Sequence, residues 1–355
     1  MKKVLYITNI ESPYRVRFFN ELARHCDLTV LYEREKSSTR NAEWAKSEKK
    51  SVRTKYLHGL KIGGENAFSL GILKELFAGY DEIIIGCFNS PVQMLAILTM
   101  RLFRIPYIVN VDGETFLAGS NLKTKLKKFF LKGAKKYLVA GEKSAESIKT
   151  ALGGNEIIPY YFSSLSEEEV QKNATIAYNG VRNDTILVVA QYLPCKGNDV
   201  ALEAARMDTT LRYKFVGMGA KTEQFMSDYQ GQIPHNVEII PFLQKQELEE
   251  EYKHCAMLLL PSRQECWGLV INEAASFGMP IVSTWGSGAA VEFLADEYPQ
   301  YLAKPGDALQ LCRAIRQQYN DTDKNGYAQF LLKQSQGYTI ERSVEVHLLA
   351  LEIKE

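Results

Sequence analysis

Apolar and polar positions follow two rhythms along this chain, short apolar runs and longer segments with helical spacing. Runs such as Val4 to Thr8 and Glu82 to Ile85 are typical of strands buried in a parallel sheet. The segments Tyr14 to Arg24 and Pro91 to Phe103, which follow those runs, have the periodicity of helices. Strands that alternate with helices predict an open α/β fold with parallel sheets.

The length of 355 residues predicts two domains, because it exceeds what one typical core holds. We predict a first domain over residues 1–160 and a second over residues 181–335, where the same rhythm resumes. The segment 161–180 lacks periodicity and is predicted to be a linker. Residues 336–355 predict a terminal helix.

The net charge of +1 conceals an asymmetry between the two halves. Residues 1–160 contain 26 Lys and Arg against 16 Asp and Glu, while the remainder contains 17 against 26. The first domain is therefore expected to meet an anionic partner. No nucleic-acid-binding motif accompanies the basic charge, so we do not expect that partner to be a nucleic acid.

The basic charge is densest in the segment Lys123 to Lys136. Leu122, Leu126, Phe129 and Phe130 recur there at helical spacing, with lysines on the other faces. This pattern favours a helix that lies on an anionic membrane surface. The alternative is an ordinary packing face with solvated lysines. No apolar run approaches the roughly 18 residues of a membrane span, so we expect a peripheral protein.

Cysteine and acidic residues give no sign of a metal site. The six cysteines (26, 87, 195, 255, 266 and 312) have no paired spacing, which predicts a reducing cytoplasm without disulfides or zinc. The segment from Asp321 to Gly326 fits the start of an EF-hand loop, but Leu332 occupies the position that requires a bidentate glutamate. We expect a polar surface loop there and no bound metal.

The strongest chemical signal lies in the stretch Pro261 to Thr284, between two apolar runs. Glu265 falls in the predicted loop after the first run, and Glu273 falls inside a helix predicted from Leu269 to Phe277. Open parallel sheets bind ligands at the carboxyl ends of their strands, so both carboxylates are candidate ligand contacts. The alternative is an exposed loop acid and a helix-surface acid.

This stretch resembles the E-x7-E signature of glycosyltransferase family 4, which are retaining enzymes of the GT-B fold. Pro261, Ser262, Gly268 and Ala274 match the residues around the two glutamates of that signature. The resemblance implies two doubly wound Rossmann-like domains that face each other across a cleft. It also implies that residues 336–355 pack back on the first domain.

The resemblance implies roles for the charged residues of the second domain. Glu273 would accept hydrogen bonds from the ribose hydroxyls, and Glu265 would contact the transferred sugar. The segment Ala190 to Ala204 resembles the family segment whose arginine and lysine neutralise the donor diphosphate. Lys196 matches that lysine, but Gln191 stands in the arginine position and adds no charge. Lys196 would therefore offset most of the charge that builds up as the glycosidic bond breaks.

Donor contacts are also implied where the backbone comes close to the nucleotide. One is a V-G-x-G turn, at which glycine allows the chain to approach phosphate. A second such contact is implied for the backbone of two residues beside the nucleotide base. A third is implied for two glycines near the phosphate or the sugar. These residues are Gly217, Gly219, Phe242, Leu243, Gly286 and Gly288.

The first domain offers candidates for the acceptor side. The string SPYRVRFFNEL resembles the start of family members that act on bacterial polysaccharides, and its Arg15 and Arg17 are candidate phosphate contacts. A solvated helix face is the alternative. Asp112 and Glu114 stand in the loop that faces the acceptor in this family, and either is a candidate to orient an acceptor hydroxyl. A plain Asp-Gly turn is the alternative there.

The resemblance implies a metal-independent retaining glycosyltransferase without a further cofactor. Its donor would be a nucleotide sugar, a UDP- or GDP-sugar above all. Its acceptor would be a lipid-linked saccharide at the inner face of a bacterial membrane, as in capsule or O-antigen assembly. Two alternatives stay open: a sugar-nucleotide epimerase of the same fold, and a catalytically silent scaffold of a membrane assembly, for which Gln191 is the hint.

Overall fold

The computed structural model describes residues 1–35, 51–62, 66–86, 88, 90–113, 122–153, 156–176 and 182–353. The chain forms two compact units. The first contains residues 1–164 and 340–355, and the second contains residues 165–339.

A seven-stranded parallel sheet forms the centre of the first unit, and a two-stranded antiparallel hairpin accompanies it. The strands are β1 (Lys3–Ile10), β2 (Asp27–Arg34), β3 (Arg53–Tyr56), β4 (Leu60–Ile62), β5 (Asn66–Phe68), β6 (Glu82–Ile85), β7 (Ile108–Val111), β8 (Lys136–Ala140) and β9 (Glu156–Tyr160). The order in the large sheet is β3-β2-β1-β6-β7-β8-β9, and β4 pairs with β5. The central strands are buried on both faces, as their continuous apolar runs predict.

The second unit contains a six-stranded parallel sheet of the same winding. Its strands are β10 (Thr185–Val189), β11 (Arg212–Val216), β12 (Val237–Ile240), β13 (Met257–Leu260), β14 (Ile281–Thr284) and β15 (Leu302–Ala303). They lie in the order β12-β11-β10-β13-β14-β15. The prediction of two doubly wound α/β units is therefore confirmed.

The helices alternate with the strands. They are α1 (Pro13–Leu22), α2 (Gly71–Leu76), α3 (Pro91–Leu102), α4 (Leu122–Leu131), α5 (Glu142–Leu152), α6 (Glu167–Ile176), α7 (Asn198–Met207), α8 (Thr222–Asp228), α9 (Lys245–His254), α10 (Leu269–Ser276), α11 (Gly288–Leu294), α12 (Ala308–Tyr319), α13 (Lys324–Gln336) and α14 (Ile340–Ala350). The last of them, α14, packs against α1 and β9 inside the first unit. Its His347 is fully buried, with the ring centroid 4.6 Å from that of Phe18.

Strand order reverses at one point in each sheet, between β1 and β6 in the first and between β10 and β13 in the second. On either side of such a point the connections leave toward opposite faces of the sheet. A crevice therefore opens at the carboxyl ends of the two strands, and ligands of open α/β sheets bind there. The segment with Lys196 follows β10, and the segment with Glu265 follows β13, so the fold brings both to that crevice of the second sheet.

The predicted linker at 161–180 differs from the structure, because α6 occupies much of it. Ser166 and Glu169 form a capping box: the Ser166 N–H donates to the Glu169 carboxylate at 2.9 Å, and the Glu169 N–H donates to the Ser166 hydroxyl at 3.3 Å. The acidic residues at 167–169 are therefore a helix-start signal, since negative charge is favourable in the first turn. Residues 177–181 lie outside the described chain.

The segment around Asp323 is also more ordered than the predicted surface loop. The Asp323 carboxylate accepts a hydrogen bond from the Gly326 N–H at 3.0 Å and caps the start of α13. Aspartate and asparagine are common both in metal-binding loops and at helix N-caps, which explains why the sequence pattern is ambiguous here.

Candidate functional site

An ion pair between Lys196 and Glu265 lies at the strand reversal of the second sheet. Lys196 ends a short 3-10 turn, Pro194–Lys196, that follows β10. Glu265 lies in the loop after β13, and its Oε2 contacts Lys196 Nζ. The side chains are 21% and 17% exposed, respectively. This pair is therefore partly shielded from water, which strengthens its interaction, yet it remains accessible to a ligand.

Arg263 joins the two loops that carry this ion pair. Its backbone N–H donates to the Cys195 carbonyl oxygen at 2.7 Å, and its Nη1 donates to the Pro194 carbonyl oxygen at 3.1 Å. The guanidinium also pairs with both carboxylate oxygens of Asp199, at 2.7 and 2.6 Å. This two-point pairing holds the start of α7, which follows Lys196, against the loop before Glu265.

Glycine is required where the two loops touch. Gly197 has a φ of +71°, and a Cβ built on it would lie 2.1 Å from the Pro261 carbonyl oxygen. Any other residue would push Lys196 away from Glu265, because a Cβ cannot fit at that distance. The glycine directly after Lys196 thus has a packing reason.

Gly286 and Gly288 support the Glu265 loop from the other side. A Cβ on Gly288 would lie 2.2 Å from the Cys266 carbonyl oxygen. The Gly288 N–H donates to the Glu265 carbonyl oxygen at 3.1 Å, and the Glu265 N–H donates to that of Gly286 at 2.8 Å. The Gly286 N–H donates to the Thr284 hydroxyl at 3.2 Å. Both glycine N–H groups are thus used inside the loop in this conformation, and their contact with phosphate or sugar stays a prediction.

Glu273 is the fifth residue of α10, the helix that follows the Glu265 loop. The Tyr252 hydroxyl on α9 donates to Glu273 Oε2 at 2.9 Å. Burial, and next the charge of Glu273, raise the pKa of Tyr252 well above its usual range, so its hydroxyl remains a donor. One oxygen of this carboxylate is therefore fixed in position while the side chain as a whole stays partly exposed.

The other predicted donor contacts follow β10, β11 and β12 and so lie at the same carboxyl edge. Gln191 is exposed after β10, and Gly217 has a φ of +97° after β11. The Gly219 N–H donates at 2.7 Å to the carbonyl oxygen just before Phe242. Phe242 and Leu243 are half-buried after β12. The parallel sheet gathers these residues at one edge, and their contacts with a nucleotide stay predictions.

Asp112 lies in the first unit and is held by three donors. Its Oδ1 accepts from Asn110 Nδ2 at 3.0 Å and from the Tyr160 hydroxyl at 2.9 Å, and its Oδ2 contacts Arg15 Nη2. The Asp112 side chain is 29% exposed, whereas that of Arg15 is only 6% exposed. Asp112 is therefore accessible to a ligand hydroxyl, but most of the hydrogen bonds that its carboxylate can accept are made within the unit. Glu114 lies outside the described residues.

The two arginines predicted to meet phosphate are used inside the first unit. Arg15 is buried and donates to the Tyr6 hydroxyl at 2.8 Å as well as contacting Asp112. Arg17 Nη1 donates to the Ser164 carbonyl oxygen at 2.7 Å. The alternative of a solvated face is wrong for Arg15, because the residue faces the core of its unit. Contact of either arginine with phosphate stays a prediction. Helical spacing alone does not distinguish a buried guanidinium from an exposed one.

His347 extends the Asp112 network and was not singled out in the sequence. Its Nε2 lies 2.7 Å from Asn110 Oδ1, and its Nδ1 lies 2.7 Å from the Ser343 carbonyl oxygen. Burial lowers the pKa of His347 to about 3, so the ring is neutral near pH 7. No local pattern links it to Asn110, which lies 237 residues earlier in the chain.

The predicted membrane segment forms α4 and the start of β8. Leu122, Leu126 and Phe129 are 82%, 48% and 52% exposed, respectively, while Phe130 is buried in the unit. Lys136 is buried as well, and its Nζ lies 3.0 Å from a carboxylate oxygen of the C-terminal segment. Three of the four predicted apolar residues are therefore exposed on α4. Phe130 and Lys136 are buried and do not belong to this exposed surface.

The described residues contain no helix of the length and hydropathy that crossing a membrane requires. Within the same ranges, no group of three or more His, Cys, Asp and Glu side chains is arranged to hold a metal ion.

Comparison with known proteins agrees with this geometry. Residues 176–329 match the family described as Glycosyl transferases group 1. This match covers the Lys196 turn, the Glu265 loop and α10. An uncharacterised glycosyltransferase of Methanocaldococcus jannaschii is 24% identical over 258 residues, which are 68% of this chain and 66% of that protein.

Two solved structures share the architecture over nearly the full chain. Anabaena HepE in complex with UDP and glucose has a TM-score of 0.72 at 17% identity, covering 99% of this chain and 100% of HepE. WaaG, a glycosyltransferase involved in lipopolysaccharide biosynthesis, has a TM-score of 0.67 at 16% identity, with 99% of each chain covered. The GT-B fold prediction is confirmed, and the findings together support a glycosyltransferase.

Proposed function

We propose that this protein is a retaining family 4 glycosyltransferase that moves a sugar from a nucleotide sugar to a lipid-linked saccharide. The role would be in bacterial surface polysaccharide assembly, on the cytoplasmic side of the membrane. The ion pair of Lys196 and Glu265 at the strand reversal of the second sheet is the observation that carries the proposal. The UDP and glucose bound by HepE, and the lipopolysaccharide role of WaaG, support the donor and acceptor classes.

Glu265 places an anionic carboxylate beside Lys196. A nucleotide diphosphate carries more negative charge than one carboxylate and would displace Glu265 from Lys196 Nζ. Glu265 would then be available to accept hydrogen bonds from hydroxyls of the donor sugar. The pair thus keeps the lysine in place without a bound donor and supplies a sugar contact once the donor arrives.

Transfer breaks the bond between the anomeric carbon and the diphosphate oxygen, and the bonding electrons go to the diphosphate. Lys196 would stabilise that developing charge, which is the electrostatic contribution that matters most in reactions of this kind. The acceptor hydroxyl would attack from the same face and pass its proton to the departing diphosphate oxygen, so the configuration is retained. Because Lys196 and backbone amides offset the charge, the proposed reaction needs no metal.

Glu273 would accept hydrogen bonds from both ribose hydroxyls, since a carboxylate can accept from two neighbouring donors. Its tether to Tyr252 fixes the direction of one oxygen before the nucleotide binds. Restricting the side chain in advance lowers the entropy lost on binding.

An anionic membrane surface is the proposed second partner of the first unit. The exposed Leu122, Leu126 and Phe129 of α4 lie beside the exposed Lys125 and Lys132. Apolar side chains would enter the boundary of the lipid layer while the lysines contact anionic head groups. This contact would place the protein next to a lipid-linked acceptor.

The first test is thermal-shift binding with UDP-, GDP-, ADP- and CMP-sugars. We expect one nucleotide class to raise the melting temperature by mass action, and Glu273→Ala to remove the shift. Glu203→Ala, a helix-surface carboxylate of the same unit, is the control and should keep the shift. If no nucleotide sugar shifts the protein, the scaffold alternative is favoured. If the donor is altered without an acceptor, the epimerase alternative is favoured.

A second test addresses the exchange at Lys196. Glu265→Gln removes the competing anion but keeps the shape of the side chain, so UDP alone should bind several-fold more tightly. Sugar transfer should fall in the same variant, because an amide accepts fewer hydrogen bonds from the sugar. Weaker UDP binding in Glu265→Gln would contradict the proposed exchange.

Membrane binding is tested by sedimentation with vesicles made with and without anionic lipid. Binding to the anionic vesicles should weaken in the double variant Leu126→Ser with Phe129→Ser. The exposed Leu309 of the second unit provides the matched control, Leu309→Ser, which should bind like the unchanged protein. Equal binding by all three proteins would rule out α4 as the contact.

A further inference from the structure

We propose that Arg263 is a positioning residue for Lys196, which it holds in place through Asp199 and the carbonyl groups of the Lys196 turn. The proposal rests on the proposed function of Lys196 and assigns a role to a position that the E-x7-E pattern leaves undefined. Arg263 itself need not touch the donor. Its effect would be to set the point at which the lysine ammonium meets the diphosphate.

The contacts of Arg263 converge on the residues directly before Lys196. The backbone of Arg263 binds the Cys195 carbonyl oxygen at 2.7 Å, and the Gln264 N–H donates to the same oxygen at 3.1 Å. The Arg263 side chain adds a bond to the Pro194 carbonyl oxygen at 3.1 Å. Two successive residues of the turn are therefore held by the loop that also carries Glu265.

Asp199 fixes the orientation of the Arg263 guanidinium. It lies in the first turn of α7, three residues after Lys196, and accepts two parallel hydrogen bonds at 2.7 and 2.6 Å. Hydrogen bonding to Arg263 lowers the pKa of the Asp199 carboxyl below its usual value, so the pair is ionised at neutral pH. The turn that ends at Lys196 is thus held to the Glu265 loop on both sides, by Pro194 and Cys195 before it and by Asp199 after it.

Because the Arg263–Asp199 pair is exposed, a positioning role and a merely structural role predict different effects of its loss on the melting temperature and on catalysis. Its side chains are 37% and 42% exposed, and ion pairs of this exposure contribute little to folding. Loss of the pair should therefore leave the melting temperature nearly unchanged. A displacement of Lys196 by about 1 Å, in contrast, is enough to slow a reaction roughly a hundredfold.

The chain provides a matched control at the opposite edge of the same sheet. Arg212 at the start of β11 pairs with Asp184, with Nε at 3.0 Å from Oδ1, and both side chains are exposed. This pair has the same chemistry but lies at the amino ends of the strands, away from the Lys196 turn. Arg212→Met thus reports the effect of losing an exposed arginine pair as such.

The experiment measures sugar transfer, donor KM and melting temperature for Arg263→Met, Arg212→Met and Asp199→Asn in the full chain. Arg263→Met should lower kcat about tenfold or more, with a smaller change in KM, because the lysine acts mainly on charge that develops in the transition state. Asp199→Asn should lower kcat about threefold, and Arg212→Met should have no effect. All three should melt close to the unchanged protein.

A double-mutant cycle with Lys196→Ala distinguishes positioning of Lys196 from any other effect. If Arg263 acts through the lysine, Arg263→Met should cost nothing further in a protein that already lacks it. Multiplicative losses in the double variant, or an Arg263→Met protein as active as the Arg212→Met control, would overturn the proposal. A Lys196→Ala protein with full activity would instead overturn the proposed function itself.

Discussion

Each unit places a cation against a carboxylate at the carboxyl edge of its sheet, but the two pairs are enclosed differently. Arg15 is buried, bonds to the Tyr6 hydroxyl and lies 5.7 and 5.6 Å from the ring centroids of Tyr6 and Phe162, respectively. Its partner Asp112 accepts two further hydrogen bonds. In the second unit, Lys196 Nζ contacts Glu265, and it has no second carboxylate beside it among the described residues.

This difference indicates which pair can exchange its partner for a ligand. Separating Arg15 from Asp112 would leave a buried guanidinium and several oriented donors without their acceptor, which costs several kcal/mol. Lysine is a point charge on a flexible stem, and an incoming phosphate can replace the single carboxylate beside it. The first pair is therefore part of the scaffold of its unit, and the second is the one that we propose as a binding element.

The largest expected effect comes from Lys196→Ala. Sugar transfer should fall by a factor of roughly 10² to 10³, the usual loss when one stabiliser of developing negative charge is removed. Steady-state kinetics at saturating donor measure it. Lys214→Ala is the control, because Lys214 pairs with Glu251 at 2.7 Å in the same unit with similar exposure, yet lies inside β11. Equal losses in both variants would show that the loss does not come from a special role of Lys196.

Arg15→Met should show the opposite behaviour, with its main effect on stability. We expect a loss of about 3 kcal/mol in the free energy of unfolding, because the change leaves Asp112 without its cation inside a partly buried network. Urea unfolding provides the measurement. Arg17→Met on the same helix should lose about 1 kcal/mol, since it removes one hydrogen bond to a carbonyl group. A larger loss for Arg17→Met than for Arg15→Met would contradict this account of the first pair.

The position of Lys196 and Glu265 at one edge of the second sheet was predictable from the sequence. The apolar runs before Gln191 and Pro261 place Lys196 and Glu265 after strands of one parallel sheet, and parallel strands end at a common edge. The capping box of Ser166 and Glu169 also predicts the start of α6. The segment lacks an apolar stripe, however, and was therefore predicted to be a linker.

The enclosure of each pair was not predictable, because it depends on contacts between distant segments. Arg263 and Asp199 are 64 residues apart, and Tyr252 and Glu273 are 21 residues apart. No local periodicity or spacing in a single sequence indicates that Arg263 contacts Asp199 or that Tyr252 contacts Glu273. The burial of Arg15 likewise follows from the packing of α1 against α14, whose position is set by the whole unit.

The Asp112 network also predicts a pH dependence of stability. Burial lowers the pKa of His347 to about 3, whereas an unfolded histidine titrates near 6.5. The stability that comes from keeping this ring neutral is thus complete above about pH 6.5. It is lost as the pH falls from there toward 3, by about 1.4 kcal/mol per pH unit.

Urea unfolding between pH 7 and pH 5.5 measures this effect before most carboxylates begin to titrate. The unchanged protein should lose about 1 kcal/mol over that range, and His347→Gln should lose much less. The exposed His254 supplies the control, His254→Gln, which should follow the unchanged protein. An unaltered slope in His347→Gln would show that this ring is not held neutral by the first unit.

Glu273 shares features with both ion pairs. Like Glu265 it is a proposed ligand contact, and like Asp112 it accepts a hydrogen bond from a buried tyrosine hydroxyl. Tyr252→Phe should weaken nucleotide binding about three- to fivefold, because Glu273 keeps its charge but loses the hydrogen bond that orients it. Titration calorimetry with the nucleotide that gives the largest thermal shift would measure the change in Kd.

Tyr213→Phe is the matched control for that tether. Tyr213 is equally buried in the second unit, but its hydroxyl has no hydrogen-bond partner among the described residues. Removing that hydroxyl should leave nucleotide affinity unchanged and be neutral or slightly favourable for stability. If Tyr252→Phe binds nucleotide as tightly as Tyr213→Phe does, Glu273 needs no tether. The donor side would then depend on exchangeable contacts alone, which would widen the contrast with the closed network around Asp112.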